Sequence, residues 1–200
     1  MNSLPSSAAS DRNKQPILEQ LRHLMPADAL VLEIGSGWGQ HAVYFCGAMP
    51  GLSWQPSDRR EELPVLKQRL EQQGSPGVRT PVALDVLKDC WPEGEFDAAF
   101  SANTAHIMSW LGVCATVEGV SACLVTGGLF FLYGPFNIGG CFTAPSNEAF
   151  DCGLRARNPE MGIRDLEALE SLANNHQMNL RERIAMPANN FLLVFEKLAT

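Results

Sequence analysis

Two hydrophobic periods alternate along this chain. Apolar runs of strand length fall at 29–34, 52–56, 78–84, 96–101 and 129–134, and segments with helical spacing occupy 40–49, 61–73 and 110–124 between them. Glycine and proline mark the joints, as at Pro50-Gly51, Gly74-Ser75-Pro76-Gly77 and Gly127-Gly128. Strands alternating with helices in this way predict a doubly wound α/β domain with a mostly parallel sheet. Beyond a long glycine-rich loop at 135–146, helical patterns at 147–157 and 164–176 lead to two more strands, at 179–186 and 190–196. Only Ala188 and Asn189 follow Pro187 before the last strand, so these two should form a tight antiparallel hairpin.

At the other end, residues 1–11 are rich in serine and alanine and read as a flexible lead-in to a single domain spanning 12–200. A helix is expected to open within 11–16 and run to about Leu24, with Ile17, Leu18, Leu21 and Leu24 as its apolar stripe. Asp11 or Asn13 would cap it, and Pro16 fits a first turn.

Composition narrows the class. Two hundred residues suffice for one full core, and 46% hydrophobic against 18% charged residues excludes a disordered chain. A net charge of -7 gives no electrostatic footprint for a polyanion, so nucleic acid is not an expected partner. The six cysteines show no C-x-x-C pair, which fits reduced thiols in a cytoplasmic protein and no metal centre. No basic-then-apolar leader opens the chain and no run of 18 apolar residues occurs, so neither a signal peptide nor a membrane span is expected.

The candidate chemistry starts at Val31–His41, where an apolar run meets three glycines at every second position and a helix follows. Glycine is required where the backbone takes positive φ or where a ligand lies against the main chain. A dinucleotide loop reads G-x-G-x-x-G, but here the run is Gly35-x-Gly37-x-Gly39 with Glu33 just ahead. A carboxylate there would repel a pyrophosphate and suit a positively charged ligand. Asp58 lies 19 positions past Gly39, where an acidic residue after the second strand accepts hydrogen bonds from ribose hydroxyls.

Glu33-x-Gly35-x-Gly37-x-Gly39 resembles the first motif of the class I S-adenosylmethionine-dependent methyltransferases. At finer grain, the segments Arg12-Asn13-Lys14-Gln15-Pro16-Ile17-Leu18, Trp54-Gln55-Pro56-Ser57-Asp58, Leu132-Tyr133-Gly134-Pro135-Phe136, 144–151 and Met186-Pro187-Ala188-Asn189-Asn190 resemble the methyltransferase-like 26 family. That resemblance implies a Rossmann-like, seven-stranded, mostly parallel sheet with helices on both faces and a C-terminal antiparallel hairpin. It also implies S-adenosylmethionine as cofactor, with Glu33 facing its ammonium group and Gly35, Ser36, Gly37 and Gly39 against it. By the same resemblance Asp58 would hold the ribose, Asp85 and Val86 the adenine, and Asn103 the methionyl end. Trp38 departs from the class pattern, which prefers a small or polar residue there.

Methyl transfer from a sulfonium needs alignment and dryness more than a specific catalytic side chain. His106, just past the fourth strand, is the candidate base should the acceptor need to lose a proton. Asn13, Lys14, Tyr133, Asn147 and Glu148 are the candidates for an acceptor pocket or its lid, with helix capping as the competing reading of several. A small-molecule acceptor is expected. Two other functions use the same sheet: a binding module without catalysis, and a nicotinamide-dependent oxidoreductase.

Overall fold

In the computed structural model, which describes residues 4–199, seven strands form one sheet in the order β3-β2-β1-β4-β5-β9-β8. The central strands are β1 (Leu30–Ile34), β4 (Phe96–Ala102) and β5 (Leu124–Gly134); β2 (Ser53–Asp58) and β3 (Val82–Ala83) extend one edge. These five run parallel, whereas β9 (Asn190–Lys197) lies antiparallel to β5 and to β8 (Met178–Met186). This is the seven-stranded, mostly parallel sheet with a terminal antiparallel hairpin that the resemblance implied. Ala188 and Asn189 each take φ 58° in the connecting turn, the two consecutive positive values that primed hairpin turns use.

Strand side chains alternate faces, and the sheet is covered on both. Val31, Trp54, Phe100, Phe131 and Val194 pack on one face with residues of α1 (Ala8–Leu24) and α2 (Gln40–Ala48). Leu32, Ile34, Phe130, Leu132 and Phe195 pack on the other with α4 (Trp110–Cys123) and α6 (Leu166–Asn175). α3 (Leu63–Gln73) connects β2 to β3, and α5 (Pro145–Arg157) follows β5. Among the described residues no helix is long and apolar enough to cross a membrane, and all six cysteines are free.

Four expectations need correction. Residues 1–3 of the expected lead-in lie outside the described residues, but α1 already begins at Ala8, and Ser7 rather than Asp11 or Asn13 caps it by accepting from Ser10 N at 3.4 Å. The expected strand over 78–84 shrinks to Val82–Ala83: Val78 bridges Trp54, then Pro81, which has no N–H, interrupts the ladder along this edge. The loop 135–146 contains β6 (Phe136–Asn137), which pairs in parallel with β7 (Arg164–Asp165) to make a second, two-stranded sheet. Leu124 to Thr126 already belong to β5, and the irregular pairing between Phe96 and Ala98 accommodates the Gly127-Gly128 joint that was expected to precede the strand.

Candidate functional site

At the carboxyl ends of β1, β2, β3 and β4 lies a cavity of about 680 Å³, within the range that small-molecule sites occupy. The glycine loop forms its floor. Gly35 N and Ser36 N both donate to Ser57 O at 3.0 Å, so the loop is stitched to the end of β2. Gly35, Gly37 and Gly39 all have positive φ, at 72°, 54° and 76°. Their reasons differ: a side chain at Gly35 would meet Thr104 Cγ2 at 2.6 Å, while one at Gly37 would meet nothing within 4 Å. The main chain at Gly37 therefore offers a ligand bare backbone with room above it.

Asp58, at the end of β2, turns back to this loop. Its Oδ2 accepts from Gly37 N at 2.6 Å and its Oδ1 from Arg59 N at 2.7 Å. Burial nonetheless pushes its pKa up, with the two backbone donors opposing. Asp85, past β3, is pinned by Lys88 Nζ at 2.9 Å and Leu87 N at 3.1 Å, and these bonds hold its carboxyl below the usual range. Val86 lines the cavity beside it. Asn103, past β4, sits in the left-handed region at φ 60°, its N–H donating to Tyr133 O at 2.9 Å. Asparagine is one of the few residues besides glycine that takes this conformation readily, and here it turns the chain at the cavity edge. Gly35, Ser36, Gly37, Asp58, Asp85, Val86 and Asn103 thus share one cavity, and Trp38 lines it without filling it. Gly39 instead starts α2, tight against Leu66.

Glu33 is the main departure. Strand alternation sends its side chain to the face of Val31, beneath α2, where it is 1% exposed and does not line the cavity. Its Oε2 accepts from Trp54 Nε1 at 2.9 Å, and burial raises its pKa to about 7. Its Oε1 is 4.0 Å from His41 Nδ1, too far for a hydrogen bond, and burial lowers His41 to about 4. The two are therefore not an ion pair at neutral pH. His41 Nε2 lies 2.8 Å from Asn13 Oδ1. Asn13 and Tyr133 are both buried and neither belongs to the cavity wall.

The other acceptor-pocket candidates also fall outside it. Lys14 pairs with Asp11 at 2.8 Å and lies over the Tyr44 ring. Asn147 is consumed in tethering α5, its Nδ2 donating to Thr143 Oγ1 at 3.0 Å and to Asn189 O at 3.1 Å, and Glu148 is exposed in the first turn of that helix. His106 packs edge-on against Phe150 with ring centres 5.1 Å apart, away from the cavity lining. Burial, with Arg164 and Arg157 nearby, lowers its pKa to about 4.

Sequence reasoning missed the roof. Ser7, Ala9 and Ser10 line the cavity because Gln40 holds the segment before α1: its Oε1 accepts from Ser7 N at 2.7 Å, and its Nε2 donates to Ser6 Oγ at 3.1 Å and Ser7 O at 3.2 Å. The signal available was weak, a lone glutamine directly after the last glycine of the loop. Ile107, Met108 and Met161 were missed too; they carry no chemistry that a motif would display.

A family model described as a protein of unknown function (DUF938) matches residues 4–197. The fold is similar to that of the S-adenosylmethionine-dependent methyltransferase SibL in its apo form, at TM-score 0.81, 22% identity and 96% of this chain against 56% of that one. It is similar to human N-acetylserotonin methyltransferase in complex with S-adenosylmethionine, at 0.79 and 16%, over 96% of this chain and 53% of that one. It is also similar to an O-methyltransferase family 2 protein from Planctomyces limnophilus in complex with apigenin, at 0.78 and 17%, over 95% and 60%. The chain therefore spans little more than half the length of these proteins, and at such identities the likeness is one of fold.

Proposed function

The chain belongs to the DUF938 family of proteins of unknown function, and from the strand-end cavity and the fold we propose that it is an S-adenosylmethionine-dependent methyltransferase with a small-molecule acceptor. The observation that carries the reading is the convergence of Gly37, Asp58, Asp85, Val86 and Asn103 from four strand ends on one cavity. The resemblance to the methyltransferase-like 26 family belongs to the same reading. So does the fold shared with methyltransferases, one of them holding S-adenosylmethionine and another apigenin.

The residues present suit this cofactor. Open space above the Gly37 backbone accepts a ligand in contact with the main chain. Asp58 keeps free lone pairs on both carboxylate oxygens for the ribose hydroxyls, and Asp85 and Val86 offer a carboxylate and an apolar surface to the adenine. Asn103 would lie at the methionyl end. When bound, S-adenosylmethionine supplies an electrophilic methyl group on a positively charged sulfur. The chain's own share is alignment and exclusion of water: the roof at Ser7 and Ser10 and the wall at Ile107 and Met161 flank the bound molecule, and holding the reactants in line accounts for much of the acceleration. His106 and Glu33 have no direct part in this scheme. An acceptor proton would leave to solvent, so no obligatory base is invoked.

The test is thermal unfolding with S-adenosylhomocysteine, S-adenosylmethionine or NADH at matched concentration, since a ligand of the native state stabilises by mass action. The two sulfur nucleosides are expected to raise Tm and NADH is not; stabilisation by NADH alone would replace the proposal with an oxidoreductase. Isotope-labelled methyl donor incubated with the protein and cell extract, read by mass spectrometry, then identifies the acceptor. Label found in no molecule, with the cofactor bound, would favour a binding module.

A further inference from the structure

One wall of the cavity is built from two segments far apart in the chain. Ile107 and Met108 come from the connection after β4, and Met161 from the connection between α5 and β7. Neither segment has a regular ladder holding it to the other; a single backbone bond, from Gly162 N to His106 O at 2.9 Å, joins them directly. The larger tie is Arg164. Its Nε donates to Ala105 O at 3.0 Å, and its Nη2 donates to Met108 O and, at 2.8 Å, to Glu160 O. The guanidinium is also 6.0 Å from the centre of the Trp110 ring, at the start of α4. Arg164 is half-buried, makes no carboxylate ion pair among the described residues, and does not line the cavity.

A guanidinium spent on three main-chain carbonyls is an arrangement for fixing backbone. Its planar fork places several donors at once, which an ammonium cannot reproduce. Two of the carbonyls flank Ile107 and the third immediately precedes Met161, so the bonds set the spacing of the side chains that face the cavity. We propose that Arg164 is a positioning residue for ligand binding: it clamps Ile107, Met108 and Met161 into one apolar wall against which the flat part of the bound molecule packs. Methionine adapts to many shapes when left alone. Held at fixed backbone positions, the two thioethers become a surface of defined separation. The inference rests on the proposed function for the identity of the ligand, but not for the clamp itself.

The experiment measures the Kd of S-adenosylhomocysteine by calorimetry for the full chain and for Arg164→Ala and Arg164→Lys, well below each protein's Tm. It adds hydrogen exchange of segments 105–109 and 159–163 in the same proteins without ligand. Expected are a tenfold or greater weakening for Arg164→Ala, failure of Arg164→Lys to restore binding, and faster exchange in both segments together. Should Arg164→Ala not fold, Arg164→Lys alone decides. Unchanged Kd in the folded variants overturns the positioning role whatever happens to Tm, and unchanged exchange overturns the clamp. If the unsubstituted protein does not bind S-adenosylhomocysteine, the proposed function fails, and the role in ligand binding with it; accelerated exchange would then leave Arg164 a structural tie only.

Discussion

The two sides of the cavity are made by different means. On the side of β1, β2 and β3, the contacts are charged side chains and bare backbone at strand ends, each fixed by its immediate neighbours: Asp58 by Gly37 and Arg59, Asp85 by Leu87 and Lys88. On the other side the lining is apolar or neutral, and it is held by Arg164 from outside the cavity and by Gln40 at its edge. One side would recognise a ligand through chemistry; the other would shape the space left for it. Substitutions on the first should therefore cost affinity directly, while those on the second should act through the placement of residues that touch nothing charged.

The strongest test of that contrast is Asp58→Ala. Hydrogen bonds to a charged group are worth about 1.5–3 kcal/mol each. Losing the carboxylate that would receive the ribose should weaken S-adenosylhomocysteine binding by about 100-fold in calorimetry. Tm should fall only by a few degrees, since the freed N–H groups of Gly37 and Arg59 can be hydrated. Retained affinity would remove Asp58 from the site.

A paired substitution separates the floor's stability from its contact surface. Gly35→Ala drives a methyl into Thr104 at positive φ and should destabilise the fold by roughly 2–4 kcal/mol, read as a lower denaturation midpoint. Gly37→Ala meets no protein atom, so its cost is the positive φ alone, about 1 kcal/mol, while its methyl occupies the open space proposed for the ligand. Equal effects of the two on binding and on stability would contradict the division.

This contrast also decides what was legible in the sequence. The sheet was, because strand and helix periods are local, and β1, β2, β4 and the hairpin appear within one or two residues of expectation. Asp58, Asp85 and Asn103 reach the cavity because Asp58 ends its strand and the other two lie just past theirs, where any side chain is near the crevice. Glu33 does not, because it is still inside β1, and there the face is set by alternation: one residue of register sends it beneath α2, toward Trp54. The second side was invisible because the segments of Met161 and Ile107 meet through one backbone bond and through Arg164, and a single arginine followed by aspartate carries no pattern. Similarly, Lys14 and Asn147 stand in distinctive segments, yet their bonds serve helix ends and a turn.

Glu33 gives a pH test of the buried layer under the floor. Its pKa is raised from 4.5 to about 7, so the folded state holds a proton that the unfolded chain loses above pH 4.5. Its contribution to stability is therefore complete below pH 4.5 and declines as pH rises to about 7. His41, lowered from 6.5 to about 4, works oppositely: it favours the fold above pH 6.5 and loses that contribution as pH falls toward 4. The two slopes offset one another in the unsubstituted protein. Glu33→Gln keeps an acceptor for Trp54 and removes one slope, so its stability relative to the parent should improve by roughly 2 kcal/mol between pH 5 and pH 8. A difference independent of pH, in urea titrations at both values, would mean that Glu33 titrates normally.

The smallest expected effect concerns the roof. Gln40 makes three hydrogen bonds to Ser6 and Ser7, and Arg69 adds one from Nη2 to Pro5 O at 2.5 Å. All four hold a short N-terminal stretch whose polar groups are rehydrated once it frays, so the Gln40 bonds together are worth only about 1 kcal/mol net. Gln40→Ala should lower stability by about 1 kcal/mol and weaken S-adenosylhomocysteine by no more than about tenfold. The clearer readout is local: amide exchange over residues 5–10 should accelerate while that of the glycine loop, stitched independently to Ser57, stays the same. Acceleration in both would mean that roof and floor open as one unit. In that case the two sides of the cavity would not be independently built, since Gln40 follows Gly39 directly and would be the joint between them.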